Sequence, residues 1–255
     1  MSKAAAQHTR HLILIPSYNT GCKLVETVRE ALQFWQPVWV IIDGSNDGSP
    51  EELLKLAPSL PGLHVMRFAE NRGKGAAVLA GLVAARNAGY QYALVMDADG
   101  QHPADRIPQF VELSQENPSA MILGVPDFGS EAPASRKYGR RVGNWWANAE
   151  TLWGGVCDSL FGFRIYPINA SVDILQNIAG GRGYDFDTEL AVRLYWIGVR
   201  PINVRIPVRY FAPSAGGVSH FNYVRDNFLI IKTHIRLVVG ALPRLRLLWN
   251  LRGRV

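Results

Sequence analysis

Ala93-Leu94-Val95-Met96-Asp97-Ala98-Asp99-Gly100-Gln101-His102-Pro103 is an apolar run that ends in two carboxylates one residue apart. Uninterrupted apolarity implies a strand buried on both faces, and the Gly and Pro that follow turn the chain. Asp97 and Asp99 therefore emerge where a strand stops. With water and phosphate oxygens they make an oxygen-ligand set for Mg2+ or Mn2+, whose task would be to neutralise a diphosphate leaving group. Asp is also an ordinary turn residue, so the surroundings decide between the two readings.

Upstream of this stretch the pattern repeats. Residues 11–16, 38–42 and 63–68, with 92–96 here, read as strands rich in Val, Ile and Leu, and residues 21–34, 50–57 and 74–87 between them read as helices. Such alternation predicts right-handed βαβ crossovers and an α/β fold with a mostly parallel, doubly wound sheet. Ligands in these sheets bind beyond the carboxyl ends of the strands. The polar exceptions fall there: Ser17-Tyr18-Asn19, Asp43-Gly44-Ser45, Asn71-Arg72-Gly73 and Asp97-Ala98-Asp99. Downstream the expected elements are a strand at 120–125, a polar stretch through Arg141, a helix near 142–153, a strand at 161–166, a helix over 187–196 and an extended segment at 199–210.

The chain has 255 residues, enough for one large domain with a tail. Its two cysteines, Cys22 and Cys157, show neither C-x-x-C nor zinc spacing, which disfavours a disulfide framework and predicts a cytoplasmic setting. Residues 1–10 read as a polar extension without the apolar core of a signal peptide, and no run is long enough to span a bilayer. Of 27 Lys and Arg, seven lie in residues 222–255 against one acid, which leaves 20 basic and 20 acidic residues elsewhere. The net charge of +6 thus belongs to the tail, and a neutral body argues against nucleic acid as a partner.

Five pieces, in this order, resemble glycosyltransferase family 2 and its GT-A fold: Pro16-Ser17-Tyr18-Asn19, Asp43-Gly44-Ser45-Asn46-Asp47-Gly48, Asn71-Arg72-Gly73-Lys74-Gly75-Ala76-Ala77, Asp97 to Pro103, and Gly162-Phe163-Arg164. The resemblance covers about residues 11–215, with the third and fourth pieces most similar to the branch that glycosylates polyprenyl phosphates. It implies an inverting, metal-dependent enzyme that takes sugar from a UDP- or GDP-sugar to a lipid or lipid-phosphate acceptor. Pro16, Tyr18, Asn19, Asp43, Asn71, Lys74, Asp97, Ala98 and Asp99 would bind the donor, Asp43 through the base, although Ile42 stands where a second acid is common. Asp97, Asp99 and Gln101 would hold the metal. Glycines beside a helix start at Asn71 to Gly75 also favour an anion by exposing backbone N–H groups, while Lys74 either adds charge there or solvates the helix.

Asp187 or Asp185, in Gly183 to Glu189, would face the acceptor; acids also favour helix N-termini on their own account. A hydroxyl acceptor requires a general base and a phosphate acceptor does not. Arg164 and Arg141, the latter in the run Arg136, Lys137, Arg140 and Arg141, are candidate ligands for an anionic acceptor, and Ser219 and His220 for the donor diphosphate. In the tail, residues 216–255, Val224, Phe228, Ile231, Ile235, Val238 and Leu242 form an apolar helical stripe beside Arg225, Lys232 and Arg236. The stripe either docks on the body or anchors the chain peripherally at the inner face of an anionic membrane, and the basic residues favour the membrane. A sugar-nucleotide pyrophosphorylase is disfavoured because it would begin with a Gly-rich, Arg-containing loop. A nonenzymatic lipid- or nucleotide-binding protein is disfavoured by the retained acids.

Overall fold

The computed structural model describes residues 10–127, 134–209 and 223–252, with side chains from 139 and 226 onward in the last two ranges. The first half follows the expected alternation: β1 (His11–Ser17), α1 (Lys23–Phe34), β2 (Val38–Asp43), α2 (Ser49–Leu56), β3 (Leu63–Phe68), α3 (Lys74–Asn87) and β4 (Tyr92–Val95). Along β1, Leu12 and Leu14 enter one core while Ile13 and Ile15 enter another on the opposite face of the sheet. Burial on both faces is why this strand reads as continuously apolar.

The second half comprises α4 (Ile107–Glu116), β5 (Ala120–Asp127), α5 (Ala134–Glu150), β6 (Arg164–Pro167), α6 (Ile168–Gln176), α7 (Phe186–Trp196), β7 (Arg200–Pro207), α8 (Tyr223–Ala241) and α9 (Leu245–Arg252). Among the described residues the sheet has seven strands in the order β3-β2-β1-β4-β6-β5-β7. Of these only β6 runs antiparallel, to β4 and β5. The expected α/β class is therefore observed. The helix expected from Val142 begins instead at Ala134, and α4 and α6 were not anticipated.

The order reverses between β1 and β4, since β2 and β3 extend to one side and all later strands to the other. That switch point opens a crevice at the carboxyl ends of β1 and β4, bringing Ser17-Tyr18 beside Asp97 to Asp99. On the far side, α5 and α8 pack together and α8 also packs on α7. Of the tail stripe, Phe228 is 66% exposed, and Ile231, Ile235 and Leu242 are exposed too. Helix α8 docks instead through Asp226, Thr233, His234, Leu237 and Ala241, all buried.

Candidate active site

A cleft of about 1360 Å³ opens at the switch point, and three charged side chains from distant segments meet on its floor. Lys74, the first residue of α3, places Nζ 2.7 Å from Asp97 Oδ1 and 3.0 Å from Asp187 Oδ2. Burial alone would depress the lysine, but the two carboxylates prevail and hold it above its usual range. Burial likewise works to raise Asp97, yet the Lys74 charge, helped by His102, brings it below the usual carboxylate value. Gly162 completes the floor, for a Cβ there would stand 2.9 Å from both Asp97 oxygens and from Lys74 Nζ. The sequence needs glycine at this point because the two ions leave no room for a side chain.

Asp99 differs from Asp97. Burial, then the neighbouring Asp97 charge, pushes its carboxyl up to about 6, against the opposing influence of the Gln101 N–H that donates to Oδ1 at 3.0 Å. A carboxylate strained by burial and by a like charge gains from an added cation. Asp97, Asp99 and Gln101 all line the cleft and offer only oxygen ligands, a donor set that fits Mg2+ or Mn2+. Among the described residues no group of three or more His, Cys, Asp or Glu gathers round a point, so an ion here would draw further ligands from a bound molecule or water. His102 shapes this turn: its Nδ1 accepts the Asp97 N–H at 2.9 Å, and its buried ring packs edge-on against Phe161 and Phe163. Burial lowers this imidazole to about 4, so it is neutral at pH 7.

The loops after β1, β2 and β3 support one another. Asp43 lines the cleft, but its Oδ1 accepts the Arg72 N–H at 2.7 Å and its Oδ2 the Gly73 N–H at 2.8 Å. It thus holds the Asn71–Gly73 loop in place, a role that the sequence reading did not include. Gly44 permits the approach: its φ is +68°, and a Cβ would lie 2.3 Å from the Asn71 nitrogen. Pro16, Tyr18, Asn71, Lys74 and Ala98 line the cleft as expected. Asn19 acts as a brace, its N–H donating to Ser45 Oγ at 3.0 Å and its Oδ1 accepting the Asn46 N–H at 2.9 Å.

Three expectations for the acceptor side need correction. Arg164 is 0% exposed and does not line the cleft. Its guanidinium donates to the carbonyls of Phe161, Asp158 and Asp187 and to the Tyr166 hydroxyl, so it positions Asp187 rather than binding an anion. Arg141 is exposed and outside the cleft, where its neighbour Arg140 lies, paired with Asp158 at 2.7 Å. Of the two candidate acids, Asp187 faces the cleft. Asp185 accepts the N–H groups of Gly181 and Gly183 and the Thr233 hydroxyl, tying the start of α7 to α8. Ser219 and His220 lie outside the described residues, as do the side chains of Arg136 and Lys137.

The model of the family described as Glycosyl transferase family 2 matches residues 12–180, about two thirds of the chain and all five loop pieces. The chain belongs to glycosyltransferase family 2. An undecaprenyl-phosphate mannosyltransferase from Micrococcus luteus is 26% identical over 212 residues, covering 77% of this chain and 82% of its own length. A dolichyl-phosphate beta-glucosyltransferase from Trichomonas vaginalis is 26% identical over 201 residues, 70% of this chain but 58% of its own length. Among solved structures, glucosyl-3-phosphoglycerate synthase from Mycobacterium tuberculosis, in complex with Mn2+, UDP-glucose and phosphoglyceric acid, gives a TM-score of 0.66 at 13% identity over 91% of this chain and 79% of that one. A Pyrobaculum calidifontis mannosyltransferase with GDP-Man and Mn2+ gives 0.62 at 18% identity, over 91% of this chain and 64% of that one. These structures share the GT-A fold of this family 2 glycosyltransferase.

Two features of this glycosyltransferase have no counterpart in the sequence reading. Glu189 is fully buried and accepts from Arg193 and from Arg236 of α8. Glu150 of α5 and His234 of α8, 84 residues apart, bond at 2.7 Å, the histidine lining the cleft and the acid buried behind it. A lone acid and a lone His on amphipathic helices carry no local signal of their meeting.

Proposed function

We propose that this chain transfers a sugar, with inversion, from a nucleotide-diphosphate sugar to a polyprenyl phosphate. The observation that carries this reading is the shape and chemistry of the cleft. One cavity is lined both by Asp97, Asp99, Lys74 and Asp187 and by the apolar Val142 and Trp146 of α5 and Ile231, Ile235, Val238 and Val239 of α8. A cleft that combines charged and apolar walls fits an acceptor with an anionic head and a hydrocarbon chain. The relatives named for undecaprenyl and dolichyl phosphate support the same class of acceptor.

In this reading the donor lies along the loops after β1 to β4, with its base near Tyr18 and Asp43 and its diphosphate towards Asp99. A Mg2+ or Mn2+ on Asp99, with Asp97 and Gln101 beside it, would supply charge neutralisation of the leaving diphosphate. Lys74 fixes the Asp97 and Asp187 carboxylates relative to each other. An acceptor phosphate is already ionised and needs no general base, so Asp187 keeps its Oδ2 on Lys74 and acts by position. The enzyme would sit at the inner face of a membrane: Phe228, Leu242, Leu245, Leu247 and Trp249 are exposed beside Lys232, Arg244, Arg246 and Arg252, a composition suited to an anionic interface. No described helix is long and apolar enough to cross the bilayer.

The test is transfer of radiolabel from UDP- and GDP-sugars to undecaprenyl phosphate in detergent, read as label extracted into organic solvent, with and without EDTA. Metal-dependent, lipid-soluble product is expected. Turnover on glycan hydroxyls alone would move the chain to a different acceptor class.

A further inference from the structure

We infer that His234, held by Glu150, binds the phosphate head of the acceptor, an inference that rests on the acceptor class proposed above. His234 lines the cleft and is 94% buried, 6% of it being exposed. Its Nδ1 lies 2.7 Å from Glu150 Oε1, whereas its Nε2 is buried with no hydrogen-bond partner among the described residues. An unpaired buried polar atom costs about 1 to 3 kcal/mol, and such a group in a cleft wall marks where a ligand atom belongs.

The position relative to the reacting end follows from its neighbour. Thr233 donates to Asp185 Oδ2 at 2.9 Å, and Asp185 is two residues before Asp187 on the cleft floor. His234 therefore stands one residue from the pin that joins α8 to the start of α7. Around it the wall is apolar, with Trp146 at 6.3 Å between ring centroids and Ile231, Ile235 and Val238 on its own helix. Of the other cations of the cleft, Lys74 is held by two carboxylates, Arg140 by Asp158, and Arg72 lies over the Phe68 ring, while Arg182 is exposed. The acids lining the same cavity are Asp43, Asp97, Asp99, Asp187 and Asp226; Asp43 is spent on the backbone of the Asn71–Gly73 loop, and Asp97 and Asp187 on Lys74.

The chemistry favours a phosphate. With Glu150 on Nδ1 fixing the ring, an N–H at Nε2 donates to an arriving phosphate oxygen, and the buried Nε2 gains its missing partner. The prenyl chain leaves this point along Trp146, Ile235 and Val238. Glu150 is a positioning residue here, fixing ring orientation from behind as an outer carboxylate does for a histidine ligand.

Calorimetric titration of the full chain with geranyl phosphate and with geraniol separates head from tail. His234→Gln and His234→Ala are each expected to weaken geranyl phosphate about tenfold, to leave geraniol unchanged, and to leave the donor KM unchanged as a check on folding. Glu150→Gln, which keeps a hydrogen-bond acceptor but not the charge, should show a smaller loss confined to the phosphate. Equal phosphate affinity in parent and His234 variants, or equal losses for phosphate and alcohol, would overturn the assignment. If the parent binds neither compound while binding the sugar nucleotide, the acceptor reading itself fails.

Discussion

At the scale of single residues the most informative is Lys74. Its ammonium is shared by Asp97 and Asp187, which come from segments 23 and 113 residues away along the chain, so one cation aligns the donor side of the cleft with the acceptor side. Removing it leaves the buried Asp187 facing Asp97, which is 33% exposed, with only Arg164 at 4.0 Å and His102 at 3.7 Å beside them, a loss towards the lower end of the range of about 3 to 5 kcal/mol for a broken buried pair. Lys74→Met is expected to lower stability by an amount of that order in urea unfolding and to reduce sugar transfer at least a hundredfold. Wild-type transfer in a stably folded Lys74→Met protein would show that the pairing is dispensable. The same residue shows what a sequence can disclose. Its place after Gly73 at a helix start marked it as a cleft residue, but nothing local distinguishes a lysine that reaches a diphosphate from one that clamps two acids. Asp43 and Arg164 share that ambiguity, because a strand-end acid looks alike whether it meets a ligand or the backbone of the next loop.

At the scale of elements, β1, β2 and β4 were legible because strands buried on both faces are uniformly apolar, and α1 and α3 because they fall between strands, whereas β3, at the sheet edge, is only partly buried and carries His64 and Arg67. The start of α5 was not, since Ala-Ser-Arg-Lys-Tyr-Gly-Arg-Arg has no apolar period to announce a helix. The direction of β6 depends on its partners and not on its own residues. One packing contact yields a pH dependence. His11 on β1 bonds through Nε2 to Ser114 Oγ of α4 at 2.9 Å and stacks on Tyr92. Burial, reinforced by the Arg10 charge, lowers it from 6.5 to about 4. Between those values the unfolded chain takes up a proton that the folded chain refuses, so stability falls as pH drops from 6.5 towards 4 and is unaffected by this group above 6.5. The full effect is on the order of 3 kcal/mol, and the buried His102 adds a decline of the same sign. His11→Gln, which can keep the bond to Ser114, is expected to flatten part of this decline when unfolding is followed at pH 4.5 and 7. A decline as steep as that of the parent would place the proton uptake elsewhere.

At the scale of the whole molecule, α8 is amphipathic in an unexpected sense. Its polar residues Asp226, Thr233 and His234 turn inward, and Arg236 reaches the buried Glu189, while Phe228 is exposed away from the cleft and Ile231, Ile235 and Val239, also exposed, line it. The inward bonds tie α8 to the helix that carries Asp187, so the surface that would meet lipid and the floor of the cleft belong to one packed unit. Trp145 and Trp153, exposed near the end of α5 and 6.5 Å apart between ring centroids, extend the apolar surface onto the body. Deleting the tail would therefore confuse loss of membrane contact with damage to the site, whereas surface substitutions separate them. Phe228→Ser, Leu242→Ser and Trp249→Ser combined touch only exposed side chains. Complete burial of a large apolar side chain contributes about 1.5 to 3 kcal/mol, and each basic residue near an anionic surface about 1 kcal/mol; even partial insertion of the three predicts at least a tenfold loss of flotation with phosphatidylserine vesicles. Binding that remains should weaken further with added salt, because the arginines alone would support it. Metal-dependent donor hydrolysis should be unchanged in the triple variant, since none of the three lines the cleft. Undiminished flotation would show that this face does not meet the bilayer.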